Sequence, residues 1–432
     1  EEGSPGPRDA IVRPLAHLTQ PGDDGFPSAC AALAIDHLGG KWAGGRWVFW
    51  LASEPPTAAE LDHLLAAAGQ PAVELRIDPR YATFHAGERP VATLGLHRPR
   101  AADQRDYDTT VRLTDSAGGA VATHRVRLRA GQRGEATVEL AGELAPGLYR
   151  LEAEGDGLPP AANGFWVFDA NLFASGPAVT FDALRMRRGD AAEFVLGTTV
   201  MSRDTHRRFL HEPNVAAWDD TFGELAAIDF NMVRTGVWSG WREISPAPGV
   251  VDEGWMRALE AYYLTARRHD IPVMFTFFAF TPHAFGGDNP YFDPRALDGQ
   301  KAWLAAVAKR FAPAKQIIWD LINEPSFSSP KKLWKCRPHG DVHEARAFRE
   351  WLTARYRTDD VVRARWRLAP EEPIGLPTDA DFEDRHVFGD ARPYRAADYI
   401  RFAQHAFGEW ASTMSAAIRS AGSAAAITVG QD

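Results

Sequence analysis

Between Ala72 and Phe168, apolar and polar residues alternate with a period of two. The runs are short: Ala72–Ile77, Val91–Leu96, Thr110–Thr114, Thr123–Leu128, Ala136–Leu140, Tyr149–Glu154 and Phe165–Phe168. Such alternation puts the apolar side chains on one face of a strand. Turn-formers such as Asp115–Gly119 and Pro146-Gly147 separate the runs. Strands recurring about every ten residues predict a two-sheet β-sandwich. Beyond Gly189 the pattern changes. Phe194–Val200, Met232–Trp238, Val273–Phe280, Gln316–Ile322 and Ala426–Gln431 read as strands, and Ala216–Phe230, Asp252–His269 and Gly299–Phe311 read as amphipathic helices. Strand–helix–strand alternation predicts parallel βαβ units, which doubly wound sheets and eight-stranded barrels share. Ahead of the sandwich, a Gly/Pro-rich opening precedes one strand-like run, Arg46–Ala52, and a helix over Thr57–Ala68 capped by Thr57. The expected division is an unassigned segment 1–70, a sandwich 71–170, a linker 171–192 and a βα domain 193–432.

Composition narrows the class. A chain of 432 residues holds two or three domains at roughly 150 residues each. With 45% hydrophobic and 24% charged residues it fills a core, which excludes disorder as the main state. A net charge of −9 argues against a surface built to neutralise phosphates, so no nucleic-acid partner is expected. The longest apolar run, Val273–Phe280, falls far short of the ~20 residues that span a bilayer, so no membrane partner is expected either. No basic segment followed by an apolar one opens the chain; a processed, extracytoplasmic or secreted protein is the expectation. Two cysteines, Cys30 and Cys336, make no disulfide framework. The 14 Trp and 24 Phe exceed ordinary core needs. Packing is the plain use for them; the other is a sugar site, where indole rings stack on pyranose faces.

In parallel βα sheets, chemistry gathers just past the C-terminal ends of the strands. The second strand there carries Arg234 and Trp238, with Trp241 following; the third runs into His283; the fourth ends Trp319-Asp320-Leu321-Ile322-Asn323-Glu324-Pro325. An Arg, a His and an Asn-Glu pair at successive ends would face one crevice, a setting for acid–base work on a hydroxylated substrate. The plain reading of Asn323-Glu324-Pro325 is a strand ended by proline.

The segment Ala145–Leu151 resembles the turn and strand of bacterial immunoglobulin-like modules, which implies a spacer without chemistry of its own. The part from about residue 193 onward resembles the retaining glycoside hydrolases of clan A, on the strength of the Asn323-Glu324 pair ending the fourth strand. Within the clan it looks most like the family 42 β-galactosidases, through Phe230–Trp238, Pro246–Asp252 with Trp255, and Ala347–Leu352 with Tyr356 and Trp366. The resemblance implies a (β/α)8 TIM barrel behind an immunoglobulin-like sandwich. It implies a retaining β-glycosidase acting on β-galactosides or related oligosaccharides by double displacement, with no cofactor. Glu324 would be the acid/base and Asn323 would bond the sugar hydroxyl next to the anomeric carbon. Arg234 would hold the nucleophilic carboxylate ionised. His283, Trp238 and Trp241 would line the sugar subsite, Trp241 as a stacking platform.

The same comparison exposes a shortfall. The clan's nucleophile is a Glu ending the seventh strand, whereas Ala426–Gln431 is only the fifth, after an insertion from Ser326 to about Ala391. The nucleophile is therefore expected outside these residues, on a missing C-terminal part of the protein or a second chain that completes the barrel. Competing readings are a clan A hydrolase of β-glucan or β-mannan, and a carbohydrate-binding barrel without catalysis. In the insertion, Cys336, His339 and His343 have a spacing that could ligate zinc, and the family often carries a Cys cluster near there. Without a fourth ligand in view, the plain reading is a solvated loop.

Overall fold

The alternating stretch folds as two sheets over one core. The computed structural model describes residues 9–19, 27–327, 333–383 and 393–430. A three-stranded antiparallel sheet opens the chain: β1 (Ala10–Thr19), β2 (Pro27–His37) and β3 (Arg46–Trp50), followed by helix α1 (Ala58–Ala68). Then come β4 (Glu74–Pro79), β5 (Thr83–Phe84), β6 (Val91–His97), β7 (Arg105–Asp115), β8 (Ala120–Ala130), β9 (Arg133–Glu139), β10 (Gly147–Gly155) and β11 (Ala161–Val167). One sheet has the order β4-β6-β9, the other β5-β11-β10-β7-β8. Leu75, Ile77, Leu94 and Leu96 of the first meet Val111, Leu113, Leu151 and Phe165 of the second in a common buried cluster. The period-two pattern is what makes this possible, since each strand gives alternate residues to the interior.

Helix α2 (Ala170–Phe173) leads to an antiparallel meander of three short strands, β12 (Val179–Phe181), β13 (Met186–Arg188) and β14 (Ala191–Glu193). The expected linker over 171–192 is thus structured, a correction. Its strands are three residues each, too short for periodicity to show. Val179 and Met186 pack on Met232 and Ile318, with Met274 and Ala426 alongside.

Those four are N-terminal residues of a parallel sheet: β15 (Gly197–Thr199), β16 (Met232–Gly236), β17 (Val273–Ala279), β18 (Ile317–Asn323) and β19 (Ala426–Gly430), in the order β15-β16-β17-β18-β19. The meander therefore covers the end of the sheet opposite the strand C-termini. Every pair is parallel and each strand neighbours its predecessor. Among the described residues no reversal of order occurs, whereas a doubly wound sheet reverses at a switch point. The first strand is shorter than expected: Phe194, Val195 and Leu196 lie exposed before it.

Helices α3 (Val215–Ala227), α4 (Trp241–Ile244), α5 (Glu253–Arg268) and α6 (Pro294–Arg310) join the first four strands. α7 (Val342–Tyr356), α8 (Asp359–Trp366) and the 28-residue α9 (Pro393–Ser420) lead from β18 to β19. The end expected for the insertion, near Ala391, lies outside the described residues. Phe348, Leu352 and Trp366 of the insertion share a cluster with Tyr399 and Phe402 of α9. No helix among the described residues is long and apolar enough to cross a membrane. The aromatic excess goes mostly to this core: Trp303 and Trp319 are fully buried, and Trp218, Trp255, Trp366 and Trp410 nearly so.

The opening segment has more structure than its sequence suggests. β1 and β2 pair over their length with bulges near Pro14 and Ala16. The helix is capped as expected, by a Thr57–Glu60 box. Asp36, fully buried, accepts hydrogen bonds from Arg13 and Arg46, which ties all three strands together.

The sandwich is docked onto α3 and α5. Trp166 of β11 sits in the same buried cluster as Leu259, Tyr262 and Phe311, and its indole N–H donates to Thr265 Oγ1 at 2.9 Å. Arg257 of α5 donates to both carboxylate oxygens of Glu88 at 2.6 and 3.0 Å. Removing Trp166 should therefore damage both layers at once. Trp166→Ala is expected to lower stability by about 3–5 kcal/mol, measured by denaturant unfolding. Thr265→Val should cost about 1 kcal/mol through the lost acceptor. A loss below 1 kcal/mol for Trp166→Ala would mean the two layers do not share a core.

Candidate active site

Two neighbouring strand ends turn in the same unusual way. Phe280, after β17, and Glu324, after β18, both have left-handed backbone, with φ of 59° and 45°. Non-glycine residues hold that conformation only where surrounding bonds enforce it. Here the ends are stitched together: Phe280 N–H donates to Asn323 C=O at 2.8 Å, Ser326 N–H donates to Phe280 C=O, and Glu324 N–H donates to Gly430 C=O at 2.8 Å. Pro325 then ends the ladder, as expected. The half-buried Glu324 carboxylate accepts no hydrogen bond from the described residues and is left for an external partner.

Asn323 closes β18 and is 8% exposed. Its Oδ1 accepts from Arg234 Nη1 at 2.7 Å. Arg234, midway along β16, also donates to Asp320 Oδ2 from Nε at 3.1 Å and from Nη2 at 2.5 Å. Among the described residues the carboxylate partner of Arg234 is thus Asp320, within the sheet itself. A cation on an inward strand position needs a partner because isolated charge is costly to bury, and β18 supplies it three residues before Asn323. Asp320 has no solvent exposure and accepts two further bonds, from Thr276 Oγ1 at 2.7 Å and Gly430 N–H at 2.8 Å.

Beside these lies a cleft of about 880 Å³ lined by Trp238, Trp241, Arg242, Glu243, His283 and His339, among others. Its wall reaches Ala279, the cross-strand partner of Asn323, while Asn323 and Glu324 themselves are not among its lining residues. His283 accepts the Phe285 N–H on Nδ1 at 3.1 Å, which leaves Nε2 as the protonated nitrogen of the neutral ring. Burial pushes the His283 pKa below the usual imidazole range. Trp238 is 9% exposed, lies near the Arg234 guanidinium, and buries its indole N–H without an acceptor among the described residues. Trp241 is committed to packing: Phe278 and His283 stack on it at 5.4 and 5.2 Å, with Phe285 and Trp303 edge-on. It stays half-buried and forms part of the cleft wall.

The zinc candidates do not converge. Among the described residues, the one trio of ligand-type side chains with donor atoms within 4.8 Å is Asp288, Asp293 and His343. Cys336 instead packs on the α7–α9 cluster, and burial pushes its thiol pKa up. His339 lines the cleft.

Asp320, Thr276 and Gly430 escaped the sequence reading. The signal was present: one acidic residue inside the otherwise apolar run Ile317–Ile322 calls for donors or a cation opposite it.

No protein-family model matches the chain, and no curated protein matches it. Solved structures do. The chain is similar to the β-mannanase of the blue mussel Mytilus edulis, at 17% identity over 60% of this chain and 64% of that one, with a TM-score of 0.36. It is similar to the β-galactosidase of Marinomonas ef1 (15% identity, 54% of this chain, 36% of that one, TM-score 0.40). The β-galactosidase of Rahnella sp. R3 gives 18% identity, 54% and 35% coverage, and a TM-score of 0.39. The chain thus spans under two thirds of the mannanase and about a third of each galactosidase. All three are glycoside hydrolases; at these scores the likeness fixes neither sugar nor linkage.

The buried histidines set a pH dependence. Burial lowers the pKa of both His283 and His211 in the folded chain. The unfolded chain, with its histidines near 6.5, then binds more protons below that pH. Stability is therefore complete above about pH 6.5 and falls as the pH drops below it. Denaturant unfolding at pH 7.5 and 5.5 should show this fall, and His283→Gln should reduce it. An unchanged difference in the variant would show that His283 is protonated as readily folded as unfolded.

Proposed function

We propose that this chain carries the acid/base half of a retaining β-glycosidase acting on β-galactosides or related oligosaccharides. The observation that carries the reading is the Asn323–Glu324 pair. The Glu324 carboxylate, bonded to no described residue, follows a left-handed strand end one strand from the cleft wall at Ala279, and the preceding Asn323 amide oxygen accepts from the half-buried Arg234 guanidinium. In the proposed reaction Glu324 gives its proton to the glycosidic oxygen while a second carboxylate attacks the anomeric carbon. The sugar is then bound to that carboxylate and the leaving alcohol departs. Glu324, now ionised, takes a proton from water, which displaces the carboxylate. Asn323 would hold the hydroxyl beside the reacting carbon, and His283, through Nε2–H, a further one.

The second carboxylate is proposed to come from additional βα units that close the sheet into a TIM barrel. Among the described residues β15 and β19 each pair on one edge only. Such edges invite further strands, and closure removes them. Either a continuation of the polypeptide or a second chain would serve. The sandwich, proposed to be immunoglobulin-like, acts as a support docked on α3 and α5.

Glu324→Gln tests the assignment. With the closing units present, the variant should lose about 10²–10⁴-fold in turnover of an alkyl β-galactoside. It should keep the first step on an activated aryl galactoside, whose leaving group needs little protonation. Unchanged turnover of the alkyl substrate would remove Glu324 from the mechanism.

A further inference from the structure

Asp320 has no place in the chemistry just described, yet it is the one carboxylate within the five parallel strands and is bonded on several sides. It is fully buried and accepts from Arg234 Nε and Nη2, from Thr276 Oγ1 and from Gly430 N–H, which brings β16, β17 and β19 to a single side chain of β18. The space around it is closed. A Cβ on Gly430 would lie 2.5 Å from Arg234 Nη2 and 3.0 Å from Asp320 Oδ2, so only glycine leaves room for the pair.

The consequence runs through Arg234 to Asn323. A guanidinium has donors only, so the amide atom that meets Nη1 at 2.7 Å must be the oxygen of Asn323. Fixing the oxygen fixes the nitrogen: Nδ2 is turned away from Arg234, and among the described residues it donates to no acceptor. A free asparagine side chain would sample both amide orientations. In one of them it would offer a substrate hydroxyl an acceptor instead of a donor.

We propose that Asp320 is a positioning residue: it anchors Arg234 in the one pose that locks the Asn323 amide with Nδ2 facing the substrate. This rests on the glycosidase reading for the identity of the substrate group, the hydroxyl beside the anomeric carbon. Bonds to that hydroxyl tighten in the transition state of glycoside cleavage, so a pre-set donor there acts on kcat more than on KM.

The test uses the full 432-residue chain with the units that close its sheet. It compares an aryl β-galactoside with its 2-deoxy counterpart for the unmodified protein, Asp320→Asn and Thr276→Val. The unmodified protein should prefer the hydroxylated substrate. Asp320→Asn should shrink that preference at least tenfold, chiefly through kcat, and Thr276→Val, which keeps the fold and removes one bond to Asp320, should shrink it less. A purely structural role would lower both rates equally and leave the preference intact, which overturns the proposal.

A second measurement does not need activity. With asparagine labelled by ¹⁵N, the Asn323 side-chain amide of the chain alone should show two sharp, well-separated proton resonances, as for an amide held in one orientation through its oxygen. Both variants should broaden or shift them, and Thr265→Val, on the sandwich side of α5, should not. If the amide responds but neither substrate is turned over, the positioning role stands and the glycosidase reading falls. If the amide is indifferent to Asp320→Asn, the positioning role falls whatever the activity.

Discussion

One buried ion pair sets the geometry of the strand ends. Asp320 and Arg234 lie on adjacent layers of inward-facing residues, with the carboxylate wholly removed from water. A lone carboxylate there would be prohibitive. Paired and bonded on every side it is tolerable, although an apolar residue would cost the sheet less. A device that brings little net stability while tying four strands together serves to define position. Losing Arg234 would strand the buried Asp320 carboxylate, which typically costs about 3–5 kcal/mol. The pair therefore enforces a register between β16, β17, β18 and β19 that hydrophobic contacts alone would leave free to slip.

The remainder of the molecule shields this arrangement. On one end the β12–β14 meander lays Val179 and Met186 over the first residues of the strands. Outside, Trp303, Trp319, Phe275 and Phe277 meet edge-on or stacked in a single aromatic cluster. Large rigid rings fill volume with few rotamers to lose, so the sheet is clamped at low entropic cost. The sandwich adds a second brace. Its Trp166 reaches into the helical layer, and ion pairs at Arg257–Glu88 and Arg150–Asp220 border the contact. Rim pairs of this kind add little stability and mainly set orientation.

Much of this was legible in the sequence, and the reasons differ by region. The sandwich strands showed because each is long enough for alternation and has one wet face, as β7 does with its Tyr107, Thr109, Val111 and Leu113 turned inward. The parallel strands showed as unbroken apolar runs because both faces are covered. The meander did not, since three residues carry no period. β1 and β2 escaped because Pro14 and the run of small residues Ala29–Ala34 lack the β-branched and aromatic character that marks strands. At the site, Glu324 and Asn323 were visible from their place at a strand end, and Arg234 as a charge inside an apolar run. Their mutual bonding was not, because the partner of Arg234 depends on which inward residues share a level. Sequence periodicity orders residues along a strand; the stagger between strands decides who meets whom.

That stagger also explains the backbone strain beside Glu324. Left-handed φ at Phe280 and Glu324 costs each residue on the order of 1 kcal/mol or more. It is held by backbone bonds that cross from β17 to β18 and from β18 to β19. Had the β18 backbone continued as a regular strand, alternation would have placed Asn323 and Glu324 on opposite faces of the sheet. Asp320 and Asn323, three residues apart, both reach Arg234 because the β18–β19 register shifts between them, and the left-handed turn follows at Glu324. The ion pair and the strained turn thus do complementary work. The first fixes where the amide points, and the second ends the ladder at the residue that follows it.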